Sequence, residues 1–584
     1  MKPRTLTLLA GFTLTGALLA GCASTVAATT GGDSAATGTA TTVEAVGTEL
    51  TSTSQQIIAA NATAVDTADA DEYNTAAATT ITLSGDSASV DGDGVTVDGS
   101  TVTITASGSY VVSGTLTNGQ LIVDSGDTGT VYLVLDDASI ASSTTSAITV
   151  AAAERAVVVL ADGSTNTLSD TSSYAEDAES NAALYSAADL VITGDGALDV
   201  TGNGNDGITG KDSLAILSGT ITVTAADDGI RGKDSLVISG GTISVISGGD
   251  GLKADNDEDA TKGWIEISGG DITIDAQGDG AQSSTDVVVT GGALDITAGG
   301  GSGATVAEDA SAKGLKAGVM VDVEGGDVAI DAADDAVHSD TWVHTTGGTL
   351  TLASGDDGIH ADTALLLDGA SVDVTESYEA IESADIRIAA GVVTATASDD
   401  GLNASAGTTT DSGGMGGGGM GDDGSVITIS GGDVTISAEG DGLDSNGSAA
   451  ITGGTILVNG PTGSGNGALD VNGTLTVSGG ELIAAGSSGM VVSPASDSSQ
   501  GWLSATLGSS VSAGTEVSVT DSTGTVIASF AAEKTFQNVV VSAAAITSGE
   551  SYTVTAGSVS VTVTAGEAAA STGMGGGGGP QGGR

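Results

Sequence analysis

"DDGIRGKDSLVISGGTISVISGGDGLKAD" (residues 227–255) states one pattern twice, first as Asp228-Gly229-Ile230-Arg231 and again 22 residues later as Asp250-Gly251-Leu252-Lys253. Aligned on this Asp-Gly-apolar word, the chain places Gly207, Gly229, Gly251, Gly280, Gly314, Ala336, Gly358, Ala380, Gly401, Gly442 and Ala468 in equivalent positions. The steps run from 21 to 41 residues, and the long ones hold visible insertions such as "NDEDATK" from 256 and "GGGSGATVAEDA" from 299. Each unit also carries two alternating runs around Gly-Gly, for example Leu236 and Ile238, then Ile243 and Val245. Period-two alternation puts these residues on one face and Ser, Thr and Asp on the other. Three short strands in a unit of ~22 residues bury their apolar faces only by stacking on neighbours, which predicts an all-β chain built as a parallel β-helix. A nonapeptide calcium-binding roll repeats every nine residues, and this chain does not. Glycine is expected where tight turns demand positive φ.

Composition agrees with many short strands: 93 of 584 residues are Gly, four are Pro and aromatics make up 2%. The net charge of -62, from 75 acidic and 13 basic side chains, disfavours nucleic acid and anionic membrane surfaces as partners. Bound Ca²⁺, which prefers carboxylate oxygens, is one way to accommodate that charge, and a solvated acidic surface is another. At the N-terminus, Lys2 and Arg4 precede an apolar run and then Leu19-Ala20-Gly21-Cys22, which resembles a bacterial lipoprotein signal. The expected organisation is a signal peptide over 1–21, lipidation at Cys22 (the single cysteine), and a flexible Ala/Ser/Thr/Gly tether over 22–78. The β-helix follows over 79–499, with irregular coils at 79–200, regular coils at 201–499 and a Gly-rich insertion at about 406–424. A small C-terminal antiparallel β domain (500–567) and a disordered Gly-rich tail (568–584) complete the chain. This predicts a monomer outside the cell, lipid-anchored to the outer face of the bacterial membrane.

Stacking turns sequence period into surface columns spaced about 4.8 Å apart. The position after the apolar residue of each word reads Thr209, Arg231, Lys253, Gln282, Lys316, His338, His360, Glu382, Asn403 and Asp444. Arg231, Lys253, Gln282, Lys316, His338 and His360 are therefore candidates for a glycan-facing strip. The alternative is that its cations simply neutralise neighbouring aspartates. Trp264 and Trp342 share another outward column, as sugar platforms or as residues packed under a loop. A column of Asp206, Asp228, Asp250, Asp279, Asp335, Asp357, Asp400 and Asp441, with Asp255 and Asp257 later in the turn, supplies candidate Ca²⁺ ligands. Asp-Gly is also ordinary turn chemistry.

The words "GSYVVSGTL" (108–116), "NTLSD" (166–170), "GNDGITGKDSL" (204–214), "DDGIRGKDSLVISGGTI" (227–243), "GDGLKADND" (249–257) and "FQNVVVSAAAITSGESYTVTAG" (536–557) together resemble the bacterial carbohydrate-binding domain-containing proteins. The resemblance implies a secreted or lipid-anchored, Ca²⁺-binding β-helix of the right-handed, pectate-lyase-like kind. It also implies binding of plant-type polysaccharide, cellulose or pectin-like acidic chains, without implying catalysis. Two alternatives remain beside this surface-tethered, non-catalytic reading. One is a Ca²⁺-dependent polysaccharide lyase using Arg231 or Lys253 beside Asp228 and Asp250 to neutralise a uronate and take its α-proton. The other is a structural or adhesive surface rod.

Overall fold

The coil that contains the opening stretch has three strands, Ile230–Gly232, Ser235–Ile238 and Thr242–Ser247. Each pairs in parallel with its equivalent one coil on: Ile230 with Leu252, Leu236 with Ile265, and Ile243 with Ile272. Ile230, Leu236, Ile238, Ile243 and Val245 point inward and are buried, so every coil contributes the same small set of aliphatic side chains to one continuous core. We call the strand sets equivalent to Ser235–Ile238, Thr242–Ser247 and Ile230–Gly232 the first, second and third faces. This computed structural model, which describes residues 48–307, 310–406 and 422–569, is a parallel β-helix. The signal peptide, Cys22, most of the Gly-rich insertion and nearly all of the C-terminal tail lie outside the described residues.

The third face is a sheet of 16 strands running from Val95–Asp98 to Leu469–Val471. The first two faces merge into one hydrogen-bonded sheet because Ala364–Glu376 and Asp385–Ala397 run through the corner without a break. At the N-terminal end the hairpin of Thr79–Gly85 and Ser87–Asp91 covers the first coil. At the other end Phe536–Ser542 pairs antiparallel with both Glu481–Gly486 and Trp502–Val511, blocking the open sheet edge with a second core around Phe536 and Tyr552.

Two glycine positions in each repeat serve different needs. The second Gly of Gly-Gly has positive φ, as expected (Gly241 at 97°, Gly270 at 102°). The Gly of the Asp-Gly word does not. At Gly251 an added Cβ would sit 2.3 Å from Ile274 Cγ2 and 2.6 Å from the Gly280 carbonyl oxygen, so close coil packing excludes a side chain there.

Residues 48–78 correct the expectation of a flexible tether through residue 78. They form an arm along the outside of the first face. A helix, Ser54–Ala60, is capped by Thr53 through a capping box and buries Ile57 against Val288, Val319 and Met320. Farther on, Val65 and Ala70 cover Val157, Val191 and Ala215, and the Arg155 guanidinium donates to Asp69 and to the Asp66 carbonyl. The arm docks because the outward residues of these first-face strands are themselves apolar. Ile57→Ala is expected to cost about 2–4 kcal/mol, measured as a lower urea midpoint, with the first protease cuts moving into residues 48–70.

Candidate functional site

The register places the predicted strip in one column. On the third face Thr209, Arg231, Lys253, Gln282, Lys316, His338, His360, Glu382, Asn403, Asp444 and Asp470 pair successively. Each except Lys316, which follows Lys313, and Asp470, which follows Gly467, stands three residues after the Asp or Glu of its own word.

That spacing builds a repeating rung. One oxygen of four column aspartates accepts the backbone N–H of the next coil: Asp228 from Asp250 (2.9 Å), Asp250 from Asp279 (2.8 Å), Asp279 from Lys313 (2.8 Å) and Asp335 from Asp357 (3.0 Å). The other oxygen faces the cation column. Lys253 Nζ lies 3.0 Å from Asp228 Oδ2 and 2.7 Å from Asp250 Oδ2; Lys316 is 3.2 Å from Asp279, and Lys313 is 2.6 Å from Asp335. His338 and His360 each place Nδ1 2.8 Å from the aspartate of their own word, Asp335 and Asp357. Burial opposes charge on Lys253, but Asp250 and Asp228 more than reverse this and hold its ammonium protonated well above the usual range. Burial would likewise raise Asp335, yet the His338 hydrogen bond and Lys313 pull it well below the carboxylate range.

The predicted Ca²⁺ ligands therefore already have partners. Asp228, Asp250, Asp279, Asp335 and Asp357 are engaged by N–H groups and cations, so these residues do not fit an ion at those positions. Asp255 is held by both Nε (3.0 Å) and Nη2 (2.7 Å) of Arg231. Asp257 is exposed. Asp206 accepts from Thr209 Oγ1 (2.8 Å) and lies with Asp227 and Asp228 in a compact carboxylate group. Burial, reinforced by the charge of Asp228, pushes Asp206 up to about 7.

The two column histidines stack, with ring centroids 5.0 Å apart. Their Nε2 atoms face Asp340 (3.2 Å) and Asp362 (3.1 Å). With carboxylates at both nitrogens each ring is placed to donate twice, which leaves no lone pair for a metal.

The tryptophans correct the expectation of sugar platforms. Trp264 is 1% exposed, lying where the arm residues from Ile58 to Thr67 cross the first face. Trp342 is half-buried and packs with the group around Ile57. The missed signal was in the sequence: runs such as "AVVVL" (156–160) and "LAIL" (214–217) are apolar at every position, the mark of strands covered on both sides.

Lys211 and Lys233 also lie in or beside the Asp-Gly words, where the sequence offers donors to a glycan or neutralisers of aspartates. Every other described Lys or Arg has an acidic partner, whereas these two have none among the described residues. They follow paired Gly210 and Gly232, one coil apart, beside the strip. Gln282, between Lys253 and Lys316 in the column, also has a free side-chain amide among the described residues.

Comparison with known proteins adds three findings. Residues 98–358 match the profile of a family described as carbohydrate-binding domain-containing protein. A relative of that description from Acetivibrio thermocellus is 39% identical over 125 residues, or 21% of this chain and 44% of the relative, so the chain spans less than half of that curated relative. A solved structure described as a polysaccharide lyase-like protein from C. thermocellum, in a gadolinium derivative, is 37% identical, with 38% of this chain and 92% of that chain covered and a TM-score of 0.37. By these matches, centred on residues 98–358, the chain is similar to the family of carbohydrate-binding domain-containing proteins.

Proposed function

We propose that this protein is a non-catalytic polysaccharide-binding β-helix, tethered outside the bacterial cell through lipid at Cys22 and dependent on Ca²⁺ for part of its acidic surface. The observation that carries the binding reading is the cation inventory. Among the described residues every Lys and Arg but two is spent on carboxylates of the protein itself, and those two, Lys211 and Lys233, stand one coil apart beside a column of fixed polar groups. Two free lysines on neighbouring coils, whose backbones stack about 4.8 Å apart, with the Gln282 amide farther along, suit donation to oxygens of an extended glycan. Arg231, Lys253, Lys316, His338 and His360 contribute as ion pairs already held in place, so they present hydrogen bonds rather than net charge. This favours a neutral chain such as cellulose. A pectin-like acidic chain meets a protein of net charge -62 and needs a bridging cation.

The lyase alternative is weaker on chemical grounds. A base that takes the α-proton needs a lone pair near neutral pH. Lys253 is held protonated between Asp228 and Asp250, and Arg231 is committed to Asp255.

Replacing both Lys211 and Lys233 by alanine is expected to weaken binding to cellulose or to polygalacturonate with Ca²⁺ by about tenfold, taking ~1.5 kcal/mol for the lost charged hydrogen bonds, with the melting temperature unchanged. Pull-down with Ca²⁺ or chelator measures this, and absorbance of unsaturated uronate products is followed in the same samples. Undiminished binding by the double variant would remove this site from consideration, and rising absorbance would restore the lyase.

A further inference from the structure

The arm does not lie flat along its whole course. One outward column of the first face runs Val157, Val191, Ala215, Val237, Glu266, Val288, each paired with the next one coil on. Val65 and Ala70 of the arm cover the beginning of this column, and Ile57 covers Val288. Between these two footholds, arm residues 58–67 and the first face leave a cavity of about 720 Å³, walled by Ile58, Val65, Leu217, Val237 and Trp264. That volume lies in the ordinary range for a small-molecule site.

One acid sits in it. Glu266 is the single charged residue of the column from Val157 to Val288, and it lines the cavity half-buried. Among the described residues no hydrogen bond or ion pair engages its carboxylate, and burial alone raises the carboxyl above its ordinary value. Other acids under the arm are engaged by it: Asp286 accepts from Asn61, and Asp322 and Glu324 accept from Ser54. The second charged residue of the lining, Asp66, is exposed and accepts the Ala68 N–H. No Lys, Arg or His lines the cavity. A half-buried carboxylate without a counter-charge, set in apolar walls, is complementary to a cation that carries an apolar body.

We propose that this cavity binds a small primary aliphatic amine in its ammonium form, with the ammonium on Glu266 and the carbon chain along Ile58, Val65, Leu217 and Val237. A hard metal ion does not suit the place, because it needs several oxygen ligands and Glu266 offers one carboxylate among aliphatic side chains. An ammonium is satisfied by that carboxylate, and its chain is removed from water against the walls. None of Lys211, Lys233 and Gln282 lines the cavity, so this site stands apart from the proposed polysaccharide contacts.

Full-length protein in about 0.15 M salt, which screens the general acidity of the surface, is titrated by calorimetry with n-hexylammonium chloride and, in parallel, with 1-hexanol. The expected result is one equivalent of amine per chain, with hexanol weaker by at least about tenfold because it lacks the charged hydrogen bond. Glu266→Gln keeps the shape and removes the charge. It is expected to weaken the amine by at least about tenfold, to leave hexanol unchanged and not to lower the melting temperature. Parent protein that binds no amine, or binds it no tighter than hexanol, overturns the proposal. So does Glu266→Gln with the parent's affinity, which would place the amine on the open acidic surface. Val237→Lys decides independently, since it stands beside Glu266 one coil away and brings an ammonium of its own. Loss of amine uptake in that variant supports the site, and unchanged uptake refutes it.

Discussion

Asp228→Ala is expected to lower stability by about 2–4 kcal/mol, although the residue lies on no strand. Its carboxylate accepts the Asp250 N–H at 2.9 Å and faces the Lys253 ammonium at 3.0 Å, and it is buried. Alanine leaves a buried backbone donor unpaired, which costs about 1–3 kcal/mol. It also leaves Lys253 with Asp250 as its one remaining carboxylate, adding part of the larger penalty for a half-broken buried pair. Asp228→Asn keeps an acceptor for the N–H and gives up only the charge, so it should lose about half as much. Urea unfolding of the three proteins measures the series. An alanine variant within about 0.5 kcal/mol of the parent would mean that the rungs decorate the helix rather than hold successive coils together.

The second large effect concerns pH. Asp286 is buried on the first face, where its Oδ2 accepts from Asn61 of the N-terminal arm at 2.8 Å and its Oδ1 has no partner. Burial, with a further contribution from Asp322, pushes its carboxyl up to about 7 from 3.8. The folded state therefore holds this proton more tightly than the unfolded chain does. Its contribution is fully present below the unfolded pKa and is lost as pH rises to about 7. A shift of about three units corresponds to about 4 kcal/mol. Asp286→Asn is neutral throughout, so it should match the parent near pH 4 and exceed it by up to about 4 kcal/mol at pH 8. Urea midpoints collected across that range would show the two curves converging in acid. Curves that stay parallel would place the proton elsewhere.

How much of this was legible beforehand depends on which contacts are concerned. Arg231 beside Lys253 and His338 beside His360 follow from the 22-residue spacing alone, because in-register stacking converts sequence period directly into neighbours on a face. The inward residues were legible for the same reason, since alternation at period two admits one register with Ile243 and Val245 inside. The candidate site was legible in membership but not in use. The sequence showed cations and carboxylates in adjacent columns; that Lys253 reaches two aspartates while Lys211 reaches none depends on side-chain reach and burial, which spacing does not encode.

The N-terminal arm was the least legible part. Residues 48–78 have no sustained pattern of their own, and their order comes from the apolar outer surface that Val157, Val191, Ala215 and Val288 offer them from far along the chain. The arm decided that Trp264 is a packed residue and not a sugar platform. The sequence by itself thus determined the coil, its core and the order of residues in each column, because those are contacts between equivalent positions of a repeat. The tertiary structure alone decided what covers the outside of the coil and which charges cancel, because those contacts join positions that no period relates.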